Sequence, residues 1–222
     1  MDFLDTPFFN VRLKHEPHVK ALGVTIDNRL NFTQHTSLLC SKAARQLNAL
    51  ARIAKYLDVE SRTLIYKSFV ESNFTHCPLS WRFCGKVNSA KLEKIQERAL
   101  KIIYRSFSSS YPELLDMAHS VPLLTSRERL IILEVFKCIK KLNPECLWDL
   151  FHVKELCYSL RSEIKLEQPR RNTTNYGIRS ISYAGAKMWN GLPQDLVISE
   201  MDSQDFRLFL QTWDGANGDN LV

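Results

Sequence analysis

The spacing of apolar residues constrains the fold of this chain more than any other feature of its sequence. Over much of its 222 residues, leucine, isoleucine, alanine and phenylalanine recur every three or four positions, which is the period of an amphipathic helix. Seven glycines are present, and 45% of the residues are hydrophobic. A chain of this length and composition can bury one or two cores. We therefore predict a mainly α-helical protein with an N-terminal β-hairpin.

The pattern also predicts individual elements. Between residues of about 8 and 27 apolar and polar positions alternate, which indicates two short strands joined near Glu16-Pro17. Helices are expected over about 33–57, 59–73, 88–105, 126–142, 182–190 and 204–213. In the second of these we expect Leu64, Ile65 and Phe69 to be buried, with Val70 as a further candidate. Thr125-Ser126-Arg127-Glu128 resembles a capping box, and Ser203 is the expected N-cap of the last helix.

Polar breaks in this pattern suggest how the chain is organised. Ser108-Ser109-Ser110 separates a basic section from the remainder, and the segment around Pro169-Arg170-Arg171 lacks apolar periodicity. The predicted organisation is a hairpin at 1–30, a basic helical bundle at 31–107, a helical region at 108–158, a linker or loop at 159–181, and C-terminal helices with a frayed tail at 182–222.

Positive charge is concentrated in one section of the chain. The net charge is +6, but residues 28–105 contain 14 Lys or Arg against 5 Asp or Glu, a local net charge of +9. Residues 106–222 carry −2. The basic section is expected to attract polyanions, whereas the following section is not.

Five of these cations recur at intervals of three and four within the third helix: Lys91, Lys94, Arg98, Lys101 and Arg105. On a helix they occupy an arc of roughly 80° over about 21 Å, apart from the apolar residues. Lys42, Arg45 and Arg52 add three cations on the first helix. One interpretation is a solvated face. The other, which we favour, is a sequence-tolerant contact with the phosphates of a duplex or an RNA/DNA hybrid.

The sequence gives no indication of catalysis or of a cofactor. It contains no adjacent pair of acidic residues of the kind that holds two metal ions, and no glycine-rich phosphate-binding loop. We therefore assign no catalytic residues, no cofactor and no small-molecule substrate. His76, Cys77 and Cys84 are close in sequence, but they supply three candidate zinc ligands instead of four, so we also assign no metal site.

The compartment is predicted from what the N-terminus and the cysteines suggest. Residues 1–5 are acidic and lack the apolar run of a secretory signal, and no apolar stretch reaches the roughly 18 residues that a membrane span requires. Six scattered cysteines do not form a disulfide framework. We expect an intracellular protein, cytoplasmic or nuclear, that does not contact a membrane.

Four motifs occur in the same order as in the non-LTR retrotransposon (LINE) reverse transcriptases of the jockey type. The first is Lys20-Ala21-Leu22-Gly23-Val24-Thr25-Ile26-Asp27, followed by Leu30-Asn31-Phe32 and His35. The others are Leu64-Ile65-Tyr66-Lys67-Ser68-Phe69 with His76-Cys77-Pro78-Leu79-Ser80-Trp81, the stretch from Leu92 to Tyr104, and Gly185-Ala186-Lys187-Met188-Trp189-Asn190-Gly191-Leu192-Pro193. The likeness extends over about residues 19–213. The chain resembles the region that follows the catalytic palm of these RNA-directed DNA polymerases.

The resemblance implies roles for two parts of the chain. The hairpin corresponds to the palm edge near the primer grip, and the basic helices correspond to a thumb that holds the template–primer duplex. The YADD metal-binding segment of the family is not found, so a truncated, non-catalytic fragment is expected. The alternative is a helical protein-interaction module or an inert retroelement remnant. In that case Val19, Leu22, Val24 and Ile26 of the hairpin would be exposed and would contact a second copy or an intact polymerase.

Overall fold

A computed structural model describes residues 16–82, 84–154, 164–173, 177–178, 180–193 and 201–213. It is mainly helical and places an antiparallel hairpin before the helices, which confirms the predicted fold class. The strands are β1 (His18–Ala21) and β2 (Val24–Asp27). The helices are α1 (Thr33–Ile53), α2 (Val59–Ile65), α3 (Ser72–Thr75), α4 (Pro78–Trp81), α5 (Lys86–Tyr104), α6 (Tyr111–Met117), α7 (Leu123–Ile139), α8 (Ile181–Asn190) and α9 (Ser203–Thr212). Short 3₁₀ turns follow at Ala54–Tyr56 and Glu145–Leu150.

The hairpin turn differs in position from the sequence prediction. β1 and β2 pair with His18 opposite Asp27 and Ala21 opposite Val24, so the turn lies at Leu22-Gly23 and not near Glu16-Pro17. Both turn residues have positive φ, 47° and 89°, as the tight two-residue turns of hairpins require. Both strands of the hairpin lie within residues 18–27, the segment that was predicted to form the second strand alone. Residues 8–15, where the first strand was expected, lie outside the described residues.

Only part of the hairpin is exposed, contrary to the expectation for its four apolar residues. Val24 is buried and Ile26 packs against the same core, whereas Val19 and Leu22 are exposed. The alternation of β2 accounts for the difference, because it turns Val24 and Ile26 to one face, and β2 contacts α1. Asp27 then leads the chain into α1, since its Oδ2 accepts a hydrogen bond of 2.6 Å from the backbone N–H of Phe32.

The helix predicted at 59–73 is continuous but contains a π-helical segment at Tyr66–Glu71. Asp58 caps its start through a 2.9 Å hydrogen bond from the N–H of Ser61. The π segment alters the angular spacing of the side chains. Val70 is buried, as the sequence allowed, and so is Tyr66, which was not expected in the core. Leu64 and Phe69, which were expected there, are exposed.

Two helix starts also differ from the predictions. α7 begins at Leu123, not at residue 126, and the expected capping box at Thr125 does not form. A capping box does form at Ser110 and Glu113, where it starts α6 within the predicted polar break. At α9 the N-cap is Asp202 instead of Ser203, because its carboxylate accepts from two backbone N–H groups at 2.7 Å.

The buried apolar residues form two clusters. The first combines the hairpin with α1 to α6 and ends at Leu123. The second begins at Ile131 and combines the rest of α7 with α8 and α9. α7 thus extends from one cluster to the other, and a buried ion pair of 2.6 Å between Arg82 and Glu128 joins α4 to it. The predicted division of the chain at residue 107 stays a prediction.

The motif at residues 185–190 has a packing role in the second cluster. A side chain at Gly185 would lie within 3 Å of the Phe151 ring and of a Val135 methyl group, so glycine lets α8 approach α7 closely. Trp189 donates a 2.8 Å hydrogen bond to the Ile164 carbonyl. Asn190 pairs with both backbone groups of Leu166 at 2.9 Å. These contacts hold residues 164–166 against the C-terminal half of α8.

Candidate nucleic-acid interface

The two helices that carry the predicted contact residues lie side by side and run in the same direction. Near their N-terminal ends, Asn88 Nδ2 donates to Thr33 Oγ1 at 3.1 Å. Further along both chains, Arg98 Nη2 donates to Asn48 Oδ1 at 2.6 Å. From the first contact to the second, the residue numbers increase on both helices, so α1 and α5 are parallel.

Both helices bury one face in the same core. α1 contributes Ala43, Leu47 and Leu50, and α5 contributes Leu92, Ala99 and Ile103. At about 100° per residue, Lys42, Arg45 and Arg52 fall within an arc of roughly 80° on the opposite side of α1. The cations of α5 lie opposite its buried residues in the same way. Because the helices are parallel neighbours over one core, these two arcs face solvent on the same side of the bundle.

We call this face the basic surface. It comprises the eight residues identified from the sequence: Lys42, Arg45, Arg52, Lys91, Lys94, Arg98, Lys101 and Arg105. All are exposed except Lys101, which is half-buried. Arg105 follows the last residue of α5 and has a left-handed backbone (φ 53°), so it ends the helix instead of continuing it. The structure therefore brings the eight side chains onto one surface, and their contact with nucleic acid stays a prediction.

Few acidic groups oppose these charges. α1 contains no Asp or Glu over its 21 residues. On α5, Glu97 pairs with Lys101 at 2.7 Å. In the part of the chain that the structure describes, Lys101 is the one cation of the basic surface that forms an ion pair with a carboxylate. Burial raises the pKa of the Cys40 thiol on α1, and the positive charge of Lys91 on α5 partly offsets this rise.

The other acidic residue of α5 is directed away from the basic surface. Glu93 accepts hydrogen bonds from the backbone N–H of Leu124 at 2.8 Å and of Leu123 at 3.2 Å. The Tyr111 hydroxyl also donates to it at 2.6 Å. Glu93 therefore satisfies the N-terminus of α7, where a negative charge is favoured by the helix dipole. Of the two glutamates of α5, Glu97 therefore lies beside the basic surface, whereas Glu93 faces α7.

Sequence reasoning missed Asn48, which fixes the position of the Arg98 guanidinium. Its position on a polar stretch of α1 is unremarkable in the sequence. The contact depends on how α1 and α5 are aligned along their length, and no local pattern encodes that alignment. Lys55 and Tyr56, just beyond α1, were also not singled out, although they belong to the section with the local charge of +9.

Two of the three candidate zinc ligands lie side by side, since the Cys77 sulfur is 3.7 Å from His76 Nε2, whereas Cys84 makes a different contact. His76 Nε2 lies 2.9 Å from the carbonyl oxygen of Leu22. Cys84 is buried, and the Arg127 guanidinium donates to its sulfur at 4.0 Å. Among the residues that the structure describes, no three His, Cys, Asp or Glu side chains are grouped so that they could hold a metal ion. Over the same residues, no helix is both long and apolar enough to cross a bilayer.

Comparison of the chain with protein-family models, with curated proteins and with solved structures gives no match in any of the three. The likeness to retrotransposon reverse transcriptases stays a prediction from the sequence motifs.

Proposed function

We propose that the basic surface binds nucleic acid without reading its sequence, as a non-catalytic, thumb-like part of a retrotransposon RNA-directed DNA polymerase inside the cell. The observation that carries the proposal is the collection of eight cations on one face of two parallel helices, opposed by a single paired carboxylate. A face that served solubility alone would mix charges of both signs.

The dimensions of this surface suit a duplex. α1 has 21 residues and α5 has 19, so each is about 30 Å long at 1.5 Å per residue. This is close to one turn of double helix, which is about 34 Å. Lysine and arginine side chains on such a surface can follow a phosphate backbone and release its counterions. Contacts of this kind fix the position of a duplex but carry no sequence information.

The surface is also held in place before any ligand arrives. The buried faces of α1 and α5 belong to one core, and the Arg98–Asn48 hydrogen bond joins the two helices on the side that carries the cations. A preorganised array loses less conformational entropy on binding than flexible side chains on a mobile segment. The motif resemblance favours a template–primer hybrid as the ligand, and it supports binding instead of polymerisation.

A second candidate function rests on the exposed apolar tip of the hairpin. Leu22, in the turn, is 92% exposed, and Val19, on β1, is 58% exposed. Among the described residues, no further strand pairs with the outer edge of β1. Such an edge can pair with a second copy or with an intact polymerase. Size-exclusion chromatography with light scattering tests this alternative, since a dimer that Leu22→Lys converts to a monomer would favour it.

Fluorescence anisotropy with a labelled RNA/DNA hybrid tests the main proposal. If about six phosphates are contacted, the affinity falls on the order of a thousandfold between 50 and 200 mM salt. Hybrids of unrelated sequence are expected to bind with similar affinity. An affinity that is insensitive to salt, or a strong preference for one sequence, would contradict the proposal.

A further inference from the structure

Exposed aromatic side chains are concentrated at one end of the basic surface. Among the described residues, three Phe or Tyr side chains stand out as exposed: Tyr56 at 75%, Phe107 at 72% and Phe69 at 62%. Tyr56 lies three residues beyond the end of α1, and Phe107 lies three residues beyond the end of α5. Because the two helices are parallel, both aromatic residues lie at the C-terminal end of the basic surface.

A buried arginine joins the two corners that present these rings. Arg62 donates from Nε to the Asp58 carbonyl at 3.0 Å, two residues after Tyr56. The same guanidinium donates from Nη1 to the Ile102 carbonyl at 3.3 Å, in the last turn of α5. The corner after α1 is thus fixed directly against the end of α5.

The corner after α1 has a cation beside its ring, and a hydrogen bond closes the corner after α5. The Lys55 ammonium lies 4.6 Å from the centre of the Tyr56 ring. Phe107 follows Arg105, and a 2.5 Å hydrogen bond between the Ser106 and Ser109 hydroxyls closes the turn around it. An aromatic ring beside a cation is the arrangement with which proteins bind single-stranded nucleic acid, since the ring stacks on a base while the cation meets a phosphate.

We infer that Tyr56 and Phe107 stack on unpaired bases, so that the preferred ligand is a duplex that continues into a single strand at the C-terminal end of α1 and α5. This inference rests on the proposed function. It adds that the eight cations hold the paired part of the ligand and that the two rings hold the unpaired part. A uniform duplex has no unstacked base to offer, whereas a template that extends beyond its primer does.

Three labelled ligands test this inference by fluorescence anisotropy. They are a blunt RNA/DNA hybrid, the same hybrid with a short single-stranded extension, and the hybrid with an abasic extension. The abasic ligand keeps the added phosphates but lacks the bases. We expect the extension to increase affinity by about tenfold or more, and the abasic extension to give a much smaller increase.

Matched variants assign the increase to the two rings. In the double variant Tyr56→Ala with Phe107→Ala, the increase from the extension is lost while affinity for the blunt hybrid is retained. Phe69→Ala removes an equally exposed ring from a segment without basic-surface cations, and it should behave like the unmodified protein. Tyr56→Phe should keep the increase. Circular dichroism and thermal unfolding verify that each variant is folded.

The outcomes separate this inference from the proposed function. If the blunt hybrid binds but the normal and abasic extensions give the same affinity, the stacking inference is wrong and the proposed function stands. The same holds if the double variant keeps the full increase. If neither hybrid binds at low salt, both are wrong.

Discussion

Arg98 on α5 donates a 2.6 Å hydrogen bond to the side-chain oxygen of Asn48 on α1. The two residues are 50 positions apart, and their contact joins the two helices that carry the basic surface. Asn48 orients the guanidinium without neutralising it, because its side chain is uncharged. An acidic residue at this position would form an ion pair with Arg98.

Replacing Asn48 by aspartate therefore separates binding from stability. In Asn48→Asp the new carboxylate pairs with Arg98, and the free energy of unfolding changes by less than about 1 kcal/mol. The affinity for a hybrid falls several-fold, because a negative charge is added among phosphate-binding cations. Asn48→Ala is the control: it loses the hydrogen bond that orients Arg98 but adds no charge, so it should lose less affinity than Asn48→Asp. Equal affinities for the Asp and Ala variants would count against the basic surface.

Glu93 is predicted to stabilise the fold through the N-terminus of α7. Glu93→Ala removes the acceptor of the Leu124 N–H and leaves the Leu123 N–H with Gln96 Oε1 at 3.1 Å, and we expect a loss of about 1–3 kcal/mol in urea unfolding. Glu97→Ala is the matched control, since the Glu97 carboxylate accepts a 2.7 Å hydrogen bond from Lys101 and takes no part in the cap of α7. Its cost should be below about 0.5 kcal/mol. Similar losses in both variants would show that the cap at α7 is unimportant.

His35 gives the fold a dependence on pH. Its Nδ1 accepts a 3.3 Å hydrogen bond from the backbone N–H of Thr25, which holds β2 on α1. Burial, followed by the nearby His76, lowers the pKa of His35 below its usual 6.5. The unfolded chain then binds a proton more readily than the folded protein does. The contribution of His35 to stability is complete above pH 6.5 and is lost as the pH falls toward the folded pKa.

Unfolding measured from pH 8 to pH 5 in parallel with His35→Asn tests this dependence. Asparagine can accept the same hydrogen bond but does not titrate. The unmodified protein should lose stability relative to the variant below about pH 6.5, by at most about 1.4 kcal/mol per pH unit. Curves that run parallel over the whole range would exclude a role for His35.

Gly185 is expected to be intolerant of a side chain. An added Cβ would lie 2.8 Å from Phe151 Cε1 and 2.9 Å from Val135 Cγ2, both in the second cluster. We expect Gly185→Ala to lower the free energy of unfolding by about 1–3 kcal/mol through overpacking. Gly191→Ala is the control, because its Cβ would meet nothing closer than 3.5 Å and should be tolerated. A neutral Gly185→Ala variant would show that α8 can move away from α7.

The helices and their charged faces could be predicted from the sequence because they depend on local periodicity. The stripe on α5 follows from residue spacing alone, and so does its separation from Leu92 and Ile103. The hairpin turn and the start of α7 could not be predicted in this way. The turn required a choice between two alternations, and the first N–H groups of α7 are capped by Glu93 and Gln96, which lie about 30 positions earlier in the chain.

The basic surface itself was predictable only in part. Its eight members were evident as cations in one section of the sequence, but the parallel alignment that brings two stripes together depends on Asn88–Thr33 and Arg98–Asn48. The π-helical segment was hidden for a different reason. An α-helical period assigned Leu64 and Phe69 to the core, but both are exposed, whereas Tyr66 in the π-helical segment is buried.

Charge reversal tests the central claim most directly. The variant Lys94→Glu, Arg98→Glu and Lys101→Glu is compared with Lys137→Glu, Lys141→Glu and Arg207→Glu, which changes the net charge equally outside the basic surface. Binding of an RNA/DNA hybrid is measured for both at several salt concentrations. We predict that the first variant loses affinity by about a hundredfold or more and that the second binds nearly normally. Equal affinities for the two variants would contradict the proposal that the parallel helices α1 and α5 hold nucleic acid.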